Sequence, residues 1–456
     1  LTINAAAKPD GAPRAGDRLE LDFHDLLANG QAVGRHAGLV VFCFGPLPGE
    51  RALVQISDVK QKYAVAGLMQ LLVESPERAE PFCPVFGECG GCQIQHWAYP
   101  AQLAWKKRVV VNALERIGGF RDVEVNDTAG MAAPRNYRNK MSLVVAHEGD
   151  RTQLGFYRQR SHDVVPIDAC PIVLPQLSGY VEALQHPPGP DAARAITSSR
   201  HIVARASLDG TAVVTLTTDR PSDEAERAAT GLLASLPGAS GLTNSYDLGS
   251  ANAILGKKQR LLAGNAEIEE TIDGLRYRVS SSSFFQVNTN VVARIFEYLD
   301  ARAPRVGRVV DLYCGVGTFS LFFARRGADV LGIEESAGAI EEARANAELN
   351  GLSKRVRFAK GRVERIAADE RGRNELAACE LAFLDPPRKG SDEAALGALA
   401  AAGVPSIWYL SCDPATLARD LKFLTAKGYR LGSVQPFDMF PQTGHVEALA
   451  TLERQS

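Results

Sequence analysis

The sequence predicts an α/β protein organised on a doubly wound, Rossmann-like parallel sheet. An OB-like β-barrel precedes it at the amino end, with an α+β segment between the two. Three observations carry this. From about residue 275, short apolar runs alternate with helix-like stretches, the rhythm of a parallel sheet. From Arg18 to about residue 75, short alternating runs are punctuated by Gly and Pro, as in a small barrel. Between them, residues 201–216 alternate like a strand and 221–236 read as an amphipathic helix. The expected boundaries are 15–75, 76–274 and 275–456, with a helix over 102–117 packing on the last domain. A length of 456 residues fits about three domains.

Apolar residues make up 45% and charged residues 23%, ordinary for a globular chain. The formal charge is -2 and the pI about 6.5, so a nucleic-acid surface would have to be a local basic patch. No apolar run reaches the roughly 18 residues of a membrane span. The first residues lack an apolar signal core, and a cytoplasmic location is expected. In that compartment, closely spaced cysteines among the eight present point to metal binding or catalysis rather than disulfides.

Residues 1–14 read as a loose tail. In the barrel segment, Arg35, Arg51, Lys60, Lys62 and Tyr63 supply cations and a ring, a composition that suits single-stranded RNA. An ordinary β module with a solvated face accounts for them equally well. Cys83, Cys89 and Cys92 follow in a C-x5-C-x2-C array. Gly90-Gly91 is expected to fold the backbone tightly enough for the thiols to converge. Cys170, beside a proline, is the best fourth ligand. Four thiolates fit a structural zinc or a [4Fe–4S] cluster, and spacing alone leaves both open.

Two basic runs interleave with aromatics, residues 135–140 (RNYRNK) and 155–160 (GFYRQR). The repetition favours phosphate binding and base stacking over a merely solvated face. Further on, Gln286 follows two phenylalanines just before a helix over 290–301. Its environment suits a helix cap or a contact to cofactor or base.

In the last domain five strands are expected. Val309–Tyr313 leads into the glycine turn Cys314-Gly315-Val316-Gly317. The second strand ends at Glu334, 23 residues after Asp311, where an acid accepts hydrogen bonds from ribose hydroxyls. The third is centred on Phe358 and the fourth ends at Asp385-Pro386-Pro387-Arg388. The fifth, Ser406-Ile407-Trp408-Tyr409-Leu410-Ser411, stops at Cys412-Asp413-Pro414. Ligands of such sheets sit outside the carboxyl ends of the strands, where Cys412 points into the reaction space. Taken alone, Cys412 is better explained as one more half-buried thiol. Ser320 stands where a dinucleotide fingerprint has its third glycine, and an acid opens the turn. Both favour S-adenosylmethionine over a pyrophosphate cofactor.

Taken in order, CPVFGECGGC with Cys170, SFFQVN, DLYCGVGTFS, LDPPRKG, SCDP and HVE resemble the S-adenosylmethionine-dependent RNA uracil-C5 methyltransferases. The resemblance covers nearly the whole chain, including a TRAM-type barrel. It is strongest to the branch with an iron–sulfur cluster that makes 5-methyluridine in large-subunit (23S) ribosomal RNA. The transfer-RNA branch usually lacks both barrel and cluster. The resemblance implies a central α+β iron–sulfur domain with [4Fe–4S] ligands Cys83, Cys89, Cys92 and Cys170. It implies cofactor contacts from Gln286, Tyr313, Glu334 and Asp385, with Cys412 as nucleophile and Glu447 as base. It also implies an RNA partner, and a monomer is expected. Arg362 departs from the pattern, standing where relatives often carry Asn or Asp near the adenine, and Thr318 replaces an Asn found in some of them.

Two other readings are open to the residues. Asp385-Pro386-Pro387 is similar to the DPPY-type motif of base N-methyltransferases, but Arg388 follows the prolines where an aromatic is normal. A non-catalytic, metal-stapled RNA-binding protein would explain the barrel and cysteines while leaving Cys412 and Glu447 idle.

Overall fold

The computed structural model describes residues 11, 13–149, 151–250 and 253–455, so most of the tail expected over 1–14 lies outside the described residues. The chain forms two compact units, residues 1–102 with 442–445, and residues 103–441 with 446–456.

In the first unit, five strands close a barrel: Arg18–Leu26, Gln31–His36, Leu39–Phe44, Arg51–Val59 and Tyr63–Val73. Alternating apolar residues such as Leu21, Phe23, Val41, Val54 and Ile56 fill its interior. Two of the expected RNA-facing cations are engaged within the barrel, Arg51 with Asp22 (2.8 Å) and Lys60 with Asp58 (2.7 Å). Below it, buried Glu50 accepts both Arg78 Nε and Nη2 at 2.7 Å, which anchors the chain entering the cysteine loop. That loop holds left-handed backbone at Gly87 (φ 88°), and Gly90-Gly91 turn the chain as well without leaving ordinary φ.

The second unit holds two seven-stranded sheets and a small hairpin. The central sheet runs Lys258–Gly264, Ala239–Tyr246, Ala212–Thr217, His201–Ala206, Lys140–Glu148, Arg151–Tyr157 and Val164–Pro166. The single strand expected over 201–216 is two antiparallel strands, because Gly210 (φ 91°) turns the chain between Ala206 and Ala212. The amphipathic stretch forms the helix Asp223–Ala234, started by Ser222 Oγ accepting from Ala225 N. The hairpin Glu267–Ile272 with Leu275–Ser280 turns at Asp273-Gly274, both at positive φ as a two-residue loop requires. The helix Tyr99–Ala113 continues into a π-helical turn, Leu114–Gly118, and Val110 and Leu114 join a core with Leu417, Ala418 and Leu421.

The last sheet runs Val356–Lys360, Asp329–Glu334, Arg308–Leu312, Leu381–Leu384, Ser406–Ser411, Glu447–Arg454 and Tyr429–Phe437. The first five pair in parallel; Glu447–Arg454 is antiparallel to both its neighbours, so Tyr429–Phe437 runs the same way as the first five. The winding reverses between Arg308–Leu312 and Leu381–Leu384, so the crevice of a doubly wound sheet opens there. Among the described residues no helix is long and apolar enough to cross a membrane.

Candidate active site

The register of the last sheet lines up its strand ends. Leu312 pairs with Ile333 on one side and Leu384 on the other, and Leu384 pairs with Tyr409. Tyr313, Glu334 and Asp385 therefore leave adjacent strands at the same edge. Ser411 opposes Ala448 across the antiparallel pair, so one step further Cys412 faces Glu447. The sheet brings together residues separated by up to 134 positions in sequence, from Tyr313 to Glu447.

The glycine turn is built for close approach. Gly315 (φ 53°) and Gly317 (φ 88°) hold left-handed backbone, and a Cβ on Gly317 would press on the Phe358 ring at 3.3 Å. Glu334 is held by Gly315 N (3.2 Å) and Ser336 N (2.8 Å). Ser320, at the third-glycine position, donates to Asp311 Oδ2 at 2.5 Å, so its hydroxyl serves the acid beneath the turn. Arg362 pairs with Glu335 at 3.3 Å, beside Glu334.

Gln286 Nε2 donates to Asp385 Oδ2 at 3.1 Å, joining the SFFQVN loop to the fourth strand end. Three supports fix that loop. Asn139 donates through Nδ2 to Gln286 O (3.0 Å) and through its backbone to Val287 O (2.9 Å). Arg205 Nη2 donates to Ser283 O at 2.8 Å, and Asn288, which caps the helix Thr289–Arg302, donates to Met439 O at 3.1 Å. Asn139 comes from the run in which RNA-stacking residues were expected. Tyr137, in the same run, is fully buried and donates to Pro441 O (3.0 Å), so it is a core residue and not a stacking surface. Lys106, likewise buried, bonds Asp438 Oδ1 at 2.5 Å and Phe440 O at 3.0 Å, fixing the chain after the last hairpin strand.

The site is acidic and buried. Burial pushes Asp311 up to about 7 and Asp385 up to about 7, the latter against the pull of Gln286. Burial and the neighbouring Asp385 push Glu447 well above the carboxylate range. Burial, then Glu447 and Asp385, push the Cys412 thiol up to about 12. Arg388 is the cation whose field opposes these shifts at both Cys412 and Glu447. Asp311 Oδ1 and Glu447 Oε2 are buried without a hydrogen-bond partner among the described residues. A cationic ligand suits such a pocket. Sequence reasoning passed over Arg205 and Arg388 as functional groups and took Asn139 only as part of a basic, RNA-binding run. Only Arg388, inside the Asp-Pro-Pro motif, carried a local signal.

The cysteine loop is different. All four predicted ligands are half-buried and none forms a disulfide. Gly91 N donates to Cys89 Sγ at 3.4 Å, and Cys83 N donates to Gln95 Oε1 at 3.0 Å. Among the described residues no group of three or more Cys, His, Asp or Glu is gathered to hold a metal ion.

A glycine turn with acids at the neighbouring strand ends of a doubly wound sheet defines a Rossmann-type ligand crevice. Residues 98–455 match the tRNA (uracil-5-)-methyltransferase family model, and residues 14–68 match the TRAM domain. The chain is 36% identical to an uncharacterized RNA methyltransferase of Caldanaerobacter subterraneus subsp. tengcongensis, over 97% of this chain and 99% of that protein. It is 35% identical to an uncharacterized RNA methyltransferase of Halalkalibacterium halodurans, over 98% of this chain and 99% of that one. Its fold is similar to the Pyrococcus abyssi tRNA (uracil-54, C5)-methyltransferase in complex with S-adenosyl-L-homocysteine. The TM-score is 0.73 at 25% identity, covering 95% of this chain and 100% of that one. The chain belongs to the RNA uracil-5 methyltransferase family, with an amino-terminal TRAM domain. It is an S-adenosylmethionine-dependent RNA uracil-C5 methyltransferase.

Proposed function

We propose that Cys412 is the nucleophile and Glu447 the base of this reaction, and that the substrate is large-subunit ribosomal RNA. The observation that carries the first part is the register setting Cys412 opposite Glu447. Uracil C5 is a poor nucleophile. The Cys412 thiolate adds to C6, C5 becomes enolate-like and takes the methyl group, and Glu447 removes the C5 proton so that the thiolate can leave. Bound S-adenosylmethionine supplies the methyl on a sulfonium. A positive charge brought among Asp385, Glu447 and Cys412 favours the ionised forms of all three. Tyr313, Glu334, Asp385 and Gln286 hold the cofactor, and Asp385 with Gln286 also meets the uracil edge. The target base has to leave its stack to reach Cys412. RNA carrying 5-fluorouridine tests this, because C5 then holds no removable proton. The expected result is a stable adduct mapped to Cys412; an adduct on another residue, or none, removes the assignment.

Ribosomal RNA is supported by the cysteine array, C-x5-C-x2-C with Cys170, which resembles the cluster-bearing branch. The donor set is all thiolate, the ligand type a [4Fe–4S] cluster takes, although no three such groups are gathered among the described residues, and no step of the chemistry runs through it. Iron and sulfide assays with visible absorbance on anaerobically purified protein test the cluster; zinc alone would replace it. Transfer RNA is the second reading, favoured by the likeness to the Pyrococcus abyssi enzyme. That likeness extends over 95% of this chain, so the barrel does not by itself separate the substrates. Mapping 5-methyluridine in total RNA from cells with and without the gene decides between them.

A further inference from the structure

Tyr313 holds left-handed backbone (φ 65°), which a bulky residue keeps only when its surroundings impose it. Its hydroxyl lies 2.9 Å from Ser391 Oγ. Ser391 closes the loop that begins at Asp385. Its backbone N–H donates to Tyr409 Oη (3.0 Å) and Asp420 Oδ2 (2.9 Å). Tyr409 donates to the same Asp420 oxygen at 2.6 Å. The other Asp420 oxygen accepts Arg419 Nε at 2.8 Å, and Arg419 Nη2 reaches Lys389 O at 2.9 Å. Ser391, Tyr409 and Asp420 are all buried. Gly390 (φ 81°) leaves no room beside them, since a Cβ there would lie 2.5 Å from Asp420 Oδ2. One carboxylate thus ties together the turn at Tyr313, the loop 385–391, and the helix Pro414–Thr425 that follows Cys412.

We propose that Asp420 is a positioning residue for methyl transfer, holding Asp385 and Tyr313 in place relative to Cys412 through Ser391 and Tyr409. The proposal rests on the roles given above to Cys412, Asp385 and Tyr313. A packing role needs no charge, and burying a carboxylate is costly unless donors meet it. Here donors from separate segments converge on one group, which specifies a single loop geometry.

The test uses the full chain with saturating S-adenosylmethionine and an RNA transcript, measuring kcat, KM for RNA and the unfolding midpoint. Asp420→Asn is expected to lower kcat about 100-fold and Ser391→Ala about tenfold, the scale of a small misplacement of reacting groups. KM for RNA should move less than about threefold, as expected when the loss is confined to the reacting geometry. The double variant should be no slower than Asp420→Asn alone, because both act along one path. If Asp420→Asn does not fold, Ser391→Ala and Tyr409→Phe decide. Wild-type kcat per folded molecule in both, or fully multiplicative losses in the double variant, overturns the proposal. Cys412→Ala runs alongside. Full turnover there removes the underlying site, whereas an inactive Cys412→Ala with wild-type kcat in the other two variants removes only the role of Asp420.

Discussion

The two large sheets of the second unit each have seven strands, but they serve the site in different ways. Five neighbouring strands of the last sheet pair in parallel, so their carboxyl ends deliver Glu334, Tyr313, Asp385 and Cys412 to a common edge. In the central sheet only Ala212–Thr217 and Ala239–Tyr246 are parallel, and strand ends alternate between edges. It sends no such row of groups anywhere. Its contribution comes from Asn139, just before the strand Lys140–Glu148, and from Arg205 inside the strand His201–Ala206, both holding the Gln286 loop by its carbonyls. Parallel topology concentrates reactive side chains, and the mostly antiparallel sheet buttresses the loop that faces them.

Variants in the two sheets should therefore fail differently. Cys412→Ala is expected to abolish methyl transfer while S-adenosylmethionine still binds, checked by label transfer and calorimetry; measurable turnover would contradict its place in the site. Glu447→Gln should slow turnover by roughly 100- to 10,000-fold, the usual loss of a general base. It should also accumulate a covalent RNA–protein band on a denaturing gel, and clean turnover would remove Glu447 from the base role. For the supporting sheet, Asn139→Ala should cost about 1 kcal/mol of stability, by denaturant titration, for the lost bond to Gln286 O. Its kcat should fall only about tenfold, a modest misplacement. An effect as deep as that of Cys412→Ala would erase the distinction between the sheets.

The smallest expected effect concerns pH. Asp311, pushed up to about 7 in the folded chain, contributes stability that is full below its unfolded value of about 4 and lost as pH rises through about 7. Asp311→Asn should therefore gain in unfolding midpoint relative to wild type between about pH 5 and pH 8. A constant difference across that range would show that Asp311 is not buried in its neutral form.

Much of the strand-end framework was legible because apolar runs announce where strands stop, whereas the roles given to its residues came from the resemblance. Apolar runs ending in Glu334, Asp385 and Cys412 placed those residues before any coordinates did. Glu447 was harder. Only the antiparallel return of Glu447–Arg454 beside Ser406–Ser411 turns a late acid into the partner of Cys412, and register is a tertiary property. The supports were illegible for the same reason, since Asn139 meets Gln286 across 147 positions. Tyr137 misled because basic neighbours suggested a surface, while its ring is core. Gly210 split one expected strand into two, a turn signal outweighed by the alternation around it.

Ser320 and Asp311 bear on competition inside a cell. Adenosine is shared by many abundant metabolites, among them ATP and the nicotinamide dinucleotides. A pocket that read only the nucleoside would be crowded by them. Beneath this turn lies an acid held by a serine hydroxyl, with Glu334, Asp385 and Glu447 at the neighbouring strand ends. Polyphosphates bring negative charges, which push acids already held toward their neutral forms further that way and gain no attraction from them; a sulfonium favours their ionised forms and is attracted. With the cofactor placed as proposed, the Ser320 hydroxyl, which pulls Asp311 toward its ionised form, would add to discrimination by charge between ligands that share the same nucleoside.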